Sequence, residues 1–117
     1  DDAAARRAAL ATYVEAYVSA AMRDAPAPFC AMLAYGAEMP RSPAPTRAAF
    51  AAGLDAYLDA FAGALGGADA PDARAQAIRA FSAMVGALVL ARAAAAPDPA
   101  LSDEILAAAR TALVSAD

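Results

Sequence analysis

Histidine, lysine and tryptophan are absent from the 117 residues, and cysteine occurs once, at Cys30. Without histidine, no zinc site of the usual histidine and cysteine kind can be assembled, and the commonest general base is missing. No Gly-rich phosphate loop, nucleophile elbow or H-E-x-x-H pattern replaces it. No catalytic residues, metal ligands or cofactors are therefore expected. A lone cysteine cannot close a disulfide within the chain, which agrees with a reducing compartment; its simplest role is that of a small buried hydrophobe. Long uncharged runs are missing too. Between Arg79 and Arg92 only twelve consecutive residues lack a charge, short of the roughly 20 that a membrane-spanning helix needs. No basic stretch leads into a long apolar one near Asp1 and Asp2, so no membrane span or targeting signal is expected and the cytoplasm is the default location. All nine basic residues are arginine, interspersed with acids at a net charge of -4. No basic stripe exists to hold phosphates, so the chain is not expected to bind DNA unaided.

What is present is alanine, about a third of all residues, and alanine is the best helix former. Nowhere do β-branched residues alternate with polar ones over a useful length, so the expected class is all-α, one domain over residues 1–117. Proline and glycine divide it into five helices. The first runs from Ala3 to Arg23, with Leu10, Val14, Tyr17 and Val18 on one side and Glu15, Ser19 and Arg23 on the other. Pro28 opens a short second helix through Met32 and Tyr35. Ser42 caps and Pro43 opens a third, whose Phe50, Leu54, Tyr57, Phe61 and Leu65 form a stripe opposite Asp55 and Asp59, until Gly66-Gly67 ends it. Pro71 begins the fourth helix, and Ser102 is the expected N-cap of the fifth, with Ile105, Leu106, Ala109 and Leu113 as its apolar face.

The fourth helix has no polar side between Phe81 and Ala91. Ile78, Phe81, Val85, Leu88 and Val89 make a bulky face, and Ala80, Ala83, Ala87, Ala91 and Ala94, flanked by Gly86, make a flat one. A domain this small cannot cover a helix on every side. The expected partner is a second copy, the last two helices joining those of a twofold mate in an intermolecular four-helix bundle. Phe81, Val85, Gly86, Val89, Leu90, Ile105, Leu106, Ala109 and Leu113 are its candidate interface residues. The alternative is a monomer in which the fourth helix is the central one.

Gly86-Ala-Leu-Val-Leu-Ala-Arg92, a short proline and aspartate linker, Leu101-Ser-Asp-Glu-Ile-Leu106 and then Ala108-Ala109-Arg110 resemble the end of the C-terminal domain of TetR-family transcriptional repressors. Upstream, the run from Phe29-Cys30 to Ala37-Glu38 resembles the stretch where a Gly-Cys pair opens a short helix in that family, with Phe29 in place of the glycine. Ser42-Pro43 before an amphipathic helix fits as well, and the similarity spans most of residues 28–113. The resemblance implies an effector-binding and dimerisation domain without the helix-turn-helix domain such repressors carry, so DNA would be reached only through an N-terminal domain absent from this sequence. The first helix would then be the lever toward that domain, with Arg6 and Arg7 near it; a solvated first turn is the simpler explanation of those arginines.

The resemblance further implies a cavity among the first four helices for a small apolar effector. Its candidate lining comes from Tyr13, Tyr17, Met22, Phe29, Met32 and Leu33 in the first two helices, and from Phe50, Leu54, Tyr57, Phe61 and Met84 in the next two. Aromatic and methionine side chains with a few hydroxyls suit an apolar compound. Each would also serve as ordinary core, and two other classes stay open: a helical adaptor or dimerisation module with a solid core and no ligand, and, remotely, an enzyme using Asp55, Asp59 or Glu38.

Overall fold

The computed structural model describes residues 2–26, 31–66 and 71–115, apart from the side chains at 31, 33, 66 and 115. Phe29, Cys30 and the side chain of Leu33 thus lie outside the described residues. The chain is all-helical. α1 (Asp2–Tyr17), α2 (Ala20–Asp24), α3 (Ala31–Tyr35), a 3-10 helix (Gly36–Arg41), α4 (Ala44–Gly66), α5 (Ala73–Ala94) and α6 (Pro99–Ser115) follow one another, with no strand among the described residues.

The expected first helix is broken. Ser19 adopts extended backbone (φ -144°, ψ 160°), and its hydroxyl donates to the Ala16 carbonyl (2.9 Å) while accepting from the Met22 amide (3.1 Å). A serine side chain competes with the helical ladder in this way, and here it ends α1 and caps α2 instead of facing solvent. Ser42 also does something other than expected. Its amide and hydroxyl donate to the carbonyls of Met39 (2.9 Å) and Glu38 (3.3 Å), closing the 3-10 helix that Pro40 shapes. The α4 ladder starts one residue later, where the Pro43 carbonyl accepts from the Arg47 amide (3.0 Å).

Ser102 is the third serine the sequence misplaces. The N-cap of α6 is Asp98: its carboxylate accepts from the Leu101 amide (3.1 Å), its carbonyl accepts from the Ser102 amide (3.1 Å), and Pro99 follows as first helical residue, where a missing N–H costs nothing. Ser102 lies one turn inside the helix, fully buried, and donates to the Ala91 carbonyl of α5 (2.7 Å).

α5 is the hub. It packs most extensively on α6 and α4, α2 and α3 also lean on it, and α1 lies against α4 and α6. Its buried residues mix small and large: Ala73, Ala77, Ala87 and Ala91 let neighbouring backbones approach, while Phe81, Met84 and Leu88 fill the space between. Val14, Tyr17, Val18 and Met22 join them from α1 and α2, Leu58, Phe61 and Ala62 from α4, and Leu106 from α6. Phe81 and Leu106 belong to the protomer's own core, 4% and 2% exposed, so neither is available to a second chain. The separation into one bulky and one flat face fails because alanines and large residues share the inward side.

The resulting body is thin, 44 × 39 × 19 Å between Cα atoms. Length and composition make α4 and α5 long and apolar enough to cross a membrane, a property also shared by core helices of soluble proteins. The uncharged run of twelve residues is therefore too narrow a criterion for these helices.

The cap assignment of α6 has a measurable consequence. Asp98→Ala should lower stability by about 1 kcal/mol, read as a shift in denaturant midpoint at unchanged slope, whereas a loss of that size would not be expected if Asp98 were a linker residue.

Candidate functional site

Five rings meet where α1, α4 and α5 join. Tyr57 lies 4.7 Å from Phe81 between centroids, Phe61 stands edge-on to Phe81 (6.4 Å) and to Tyr13 (6.0 Å), and Tyr17 packs on Tyr13 (6.0 Å) and Phe81 (6.3 Å). The hydroxyls of Tyr13 and Tyr57 are hydrogen-bonded to each other. Offset and edge-on arrangements of this kind are favourable beyond the area they bury. The space between these helices is thus filled by side chains.

Open volume lies beside the cluster. A cleft of about 410 Å³ runs between α1 and α4, lined by Asp2, Ala5, Arg6, Ala9, Leu10 and Tyr13 from α1 and by Phe61 and Ala64 from α4. The α1 residues recur at three and four positions, so they share one flank of the helix. Alanines leave room there, and Leu10, Tyr13 and Phe61 give it an apolar wall.

Of the side chains expected to line a pocket, Tyr13 and Phe61 do so. Tyr17 and Tyr57 sit behind them in the ring cluster, and Met84 is fully buried. Met22 is buried in the middle of α2, Met32 and Leu54 are half-buried against the core, and the half-buried Phe50 reaches within 3.9 Å of the position a Cβ would take at Gly36. Among the described residues, the expected lining residues Tyr13 and Phe61 thus face a cleft between two helices. Sequence reasoning missed Ala5, Ala9, Leu10 and Ala64 because a wall built of alanine has no signature apart from its spacing.

One end of α1 is anchored. Arg110 of α6 donates to the Val18 carbonyl (2.9 Å), and Arg92 of α5 donates to the carbonyls of Arg23 (2.9 Å), Met22 (3.4 Å) and Ala25 (3.4 Å). Arg23 in turn reaches α6, donating to Asp103 (2.7 Å) and to the buried Ser102 hydroxyl (3.2 Å), and pairs with Asp24 at 2.8 Å. These bonds satisfy carbonyls at the α1–α2 bend that no helix can. By contrast, no residue from Asp2 to Ala9 is buried. α1 is fixed at its C-terminal end and lies over the cleft at its N-terminal half.

The carboxylates considered for catalysis are exposed and paired, Asp55 and Asp59 with Arg74 across the α4–α5 seam and Glu38 with Arg41 (2.8 Å). The hydrogen bonds that Arg74 donates to Asp55 and then to Asp59 push its pKa further up. Among the described residues no three histidine, cysteine or carboxylate side chains converge as metal ligands. No family model, curated protein or solved structure matches this chain.

Two outcomes follow from the filled cluster and the anchored bend. Phe61→Ala should lose roughly 3 to 5 kcal/mol in denaturant unfolding, the loss of a core ring, while Tyr57→Phe, which removes only a hydroxyl at a partly exposed contact, should lose less than about 1 kcal/mol. The Asp24 carboxyl is held below its ordinary value by hydrogen bonding to Arg23, which outweighs the opposing effect of desolvation, with the charges of Arg23 and Arg92 adding to the shift. Because the folded value lies below the unfolded one, its stabilising contribution is complete above about pH 4 and fades as pH falls through the folded value. Asp24→Asn should flatten the acid side of the stability profile and leave its shape near neutrality unchanged.

Proposed function

We propose that the chain is the sensing and dimerisation domain of a TetR-like transcriptional regulator, a homodimer joined through α5 and α6 that responds to a small apolar effector. The observation that carries this reading is uncovered apolar surface on those two helices. Ile78 and Val89 of α5 are 42% and 47% exposed and share a flank with the half-buried Val85. On α6, Leu101 is 43% exposed and shares a flank with the half-buried Ile105 and Ala109. Gly86 is half-buried with nothing within 4 Å of where its Cβ would stand, and Leu90, 59% exposed, widens the apolar surface of α5. Leu113, also half-buried, packs on the edge of the core.

Area supports the same reading. A compact chain of 11.7 kDa presents about 5,900 Å² to solvent, and this one presents 6961 Å². The excess, about 1,000 Å², is comparable with the roughly 800 Å² that each partner hides in a stable complex. A glycine inside a helix costs about 1 kcal/mol relative to alanine. Nothing in the protomer requires Gly86 to lack a side chain, as is true also of Gly53 and Gly63 in α4, and a closely approaching second helix would give it a reason.

Sensing would act through α1. An occupant of the cleft pushes against the N-terminal half of a helix whose other end is tied to α5 and α6, so the two ends respond unequally. In the repressors this chain resembles, the corresponding movement reaches a helix-turn-helix domain; DNA contact would belong to such a domain outside residues 1–117. A cytoplasmic location goes with this reading. The filled ring cluster favours a second one, a dimerisation module that takes no ligand, and the two differ only in whether the cleft is used.

Sedimentation equilibrium at micromolar protein is the direct check of assembly. A homodimer is expected, and Val89→Arg should give a folded monomer, because the new charge is harmless on an exposed protomer surface but unpaired in a desolvated interface. A monomeric parent protein would overturn the proposal.

A further inference from the structure

The nine arginines divide by what their guanidinium groups meet. Arg23, Arg41 and Arg74 pair with carboxylates, and Arg47, Arg92 and Arg110 donate to backbone carbonyls. Arg7 and Arg79 are exposed. Arg6 differs from all of these, since it is half-buried in the wall of the α1–α4 cleft and forms no ion pair among the described residues. A guanidinium with no ion pair beside an apolar wall keeps its fork of donors for a ligand, and a carboxylate is the group whose two oxygens match that fork.

We infer that this cleft binds a small amphipathic monocarboxylate, with the carboxylate on Arg6 and the apolar body along Leu10, Tyr13 and Phe61. The inference rests on the sensing reading above and gives its effector a chemical class. Arg6 and Tyr13 are two helical turns apart, about 10 Å along α1, which sets the length of the ligand. The volume of about 410 Å³ lies toward the small end of the range for ligand sites. Ala5, Ala9 and Ala64 provide that volume, and a larger side chain at any of them would take it away. Asp2 lines the same mouth one turn before Arg6 and repels an incoming carboxylate, so it opposes binding.

The probes are 4-phenylbutyrate, the neutral 4-phenylbutan-1-ol and the cationic 4-phenylbutylamine, compared by isothermal titration near neutral pH, with sedimentation of the same samples. Saturable binding of the carboxylate is expected, with the alcohol and the amine weaker by about tenfold or more, as for loss of a charge-assisted hydrogen bond. Arg6→Gln should bring the carboxylate down to the level of the alcohol, Asp2→Asn should tighten it, and Arg7→Gln should change nothing. Ala9→Phe should abolish binding of all three while leaving the circular dichroism spectrum as in the parent; should that variant not fold, the Arg6→Gln comparison still decides. Equal affinity for the three probes, an Arg6→Gln protein that binds the carboxylate as the parent does, or no saturation at millimolar ligand would each overturn the assignment. A dimer that ignores the carboxylate removes the ligand class and leaves the assembly standing; a monomer that binds it does the reverse.

Discussion

The guanidinium of Arg92 on the carbonyls of Met22, Arg23 and Ala25 is the contact that the arrangement of helices depends on. α2 has five residues, too few to satisfy its own terminal carbonyls or to persist as an isolated helix. Donors must come from elsewhere in the fold, and α5 provides them from its last turn. Arg110 does the same for the carbonyl at the end of α1, and Arg23 returns the connection by binding α6 at Asp103 and Ser102. The bend between α1 and α2 is therefore held from both long C-terminal helices at once. Were Arg92 lost, the carbonyls of Arg23 and Ala25 would lose this donor while that of Met22 kept the Ala25 amide, a larger penalty than the loss of one exposed ion pair.

That same bend shows where sequence reasoning reaches its limit. Proline and glycine positions place α4 and α5 within a few residues, because the signals for those boundaries are local: Pro43, the Gly66 end and Pro71 act through their own backbone. Serine is different. Ser19, Ser42 and Ser102 each carry a hydroxyl able to cap the helix that follows, close the one before, or bond to a distant carbonyl. The choice depends on what lies nearby in space: Ser102 faces the Ala91 carbonyl across the α5–α6 seam, so Asp98 takes the cap. Arginine contacts to carbonyls 67 to 92 positions away leave no periodic trace. At the cleft, Tyr13 and Phe61 were legible as large side chains on helical stripes, while Ala5, Ala9 and Ala64 read as mere helix formers, because an absence of volume is not visible in one dimension.

Alanine has a further role in shaping this protein. With Ala73, Ala77, Ala87 and Ala91 buried on α5, neighbouring backbones come close and the core needs little thickness, which agrees with a body only 19 Å deep. A thin layer has more surface for its volume than a sphere. The uncovered apolar residues of α5 and α6 and the open cleft at α1 are both products of this geometry: the fold buries one side of its central helices well and leaves the other side open.

The ring cluster also makes the domain its own optical instrument. Tyr13, Tyr17 and Tyr57 all stand in contact with Phe61 or Phe81, Tyr35 lies outside the cluster at 58% exposed, and there is no tryptophan to mask them. In a Tyr35→Phe background, ultraviolet emission would originate wholly at the junction of α1, α4 and α5. Small shifts of α1 over its neighbours would then alter the signal of the unlabelled chain, with no dye attached to disturb the surfaces being studied.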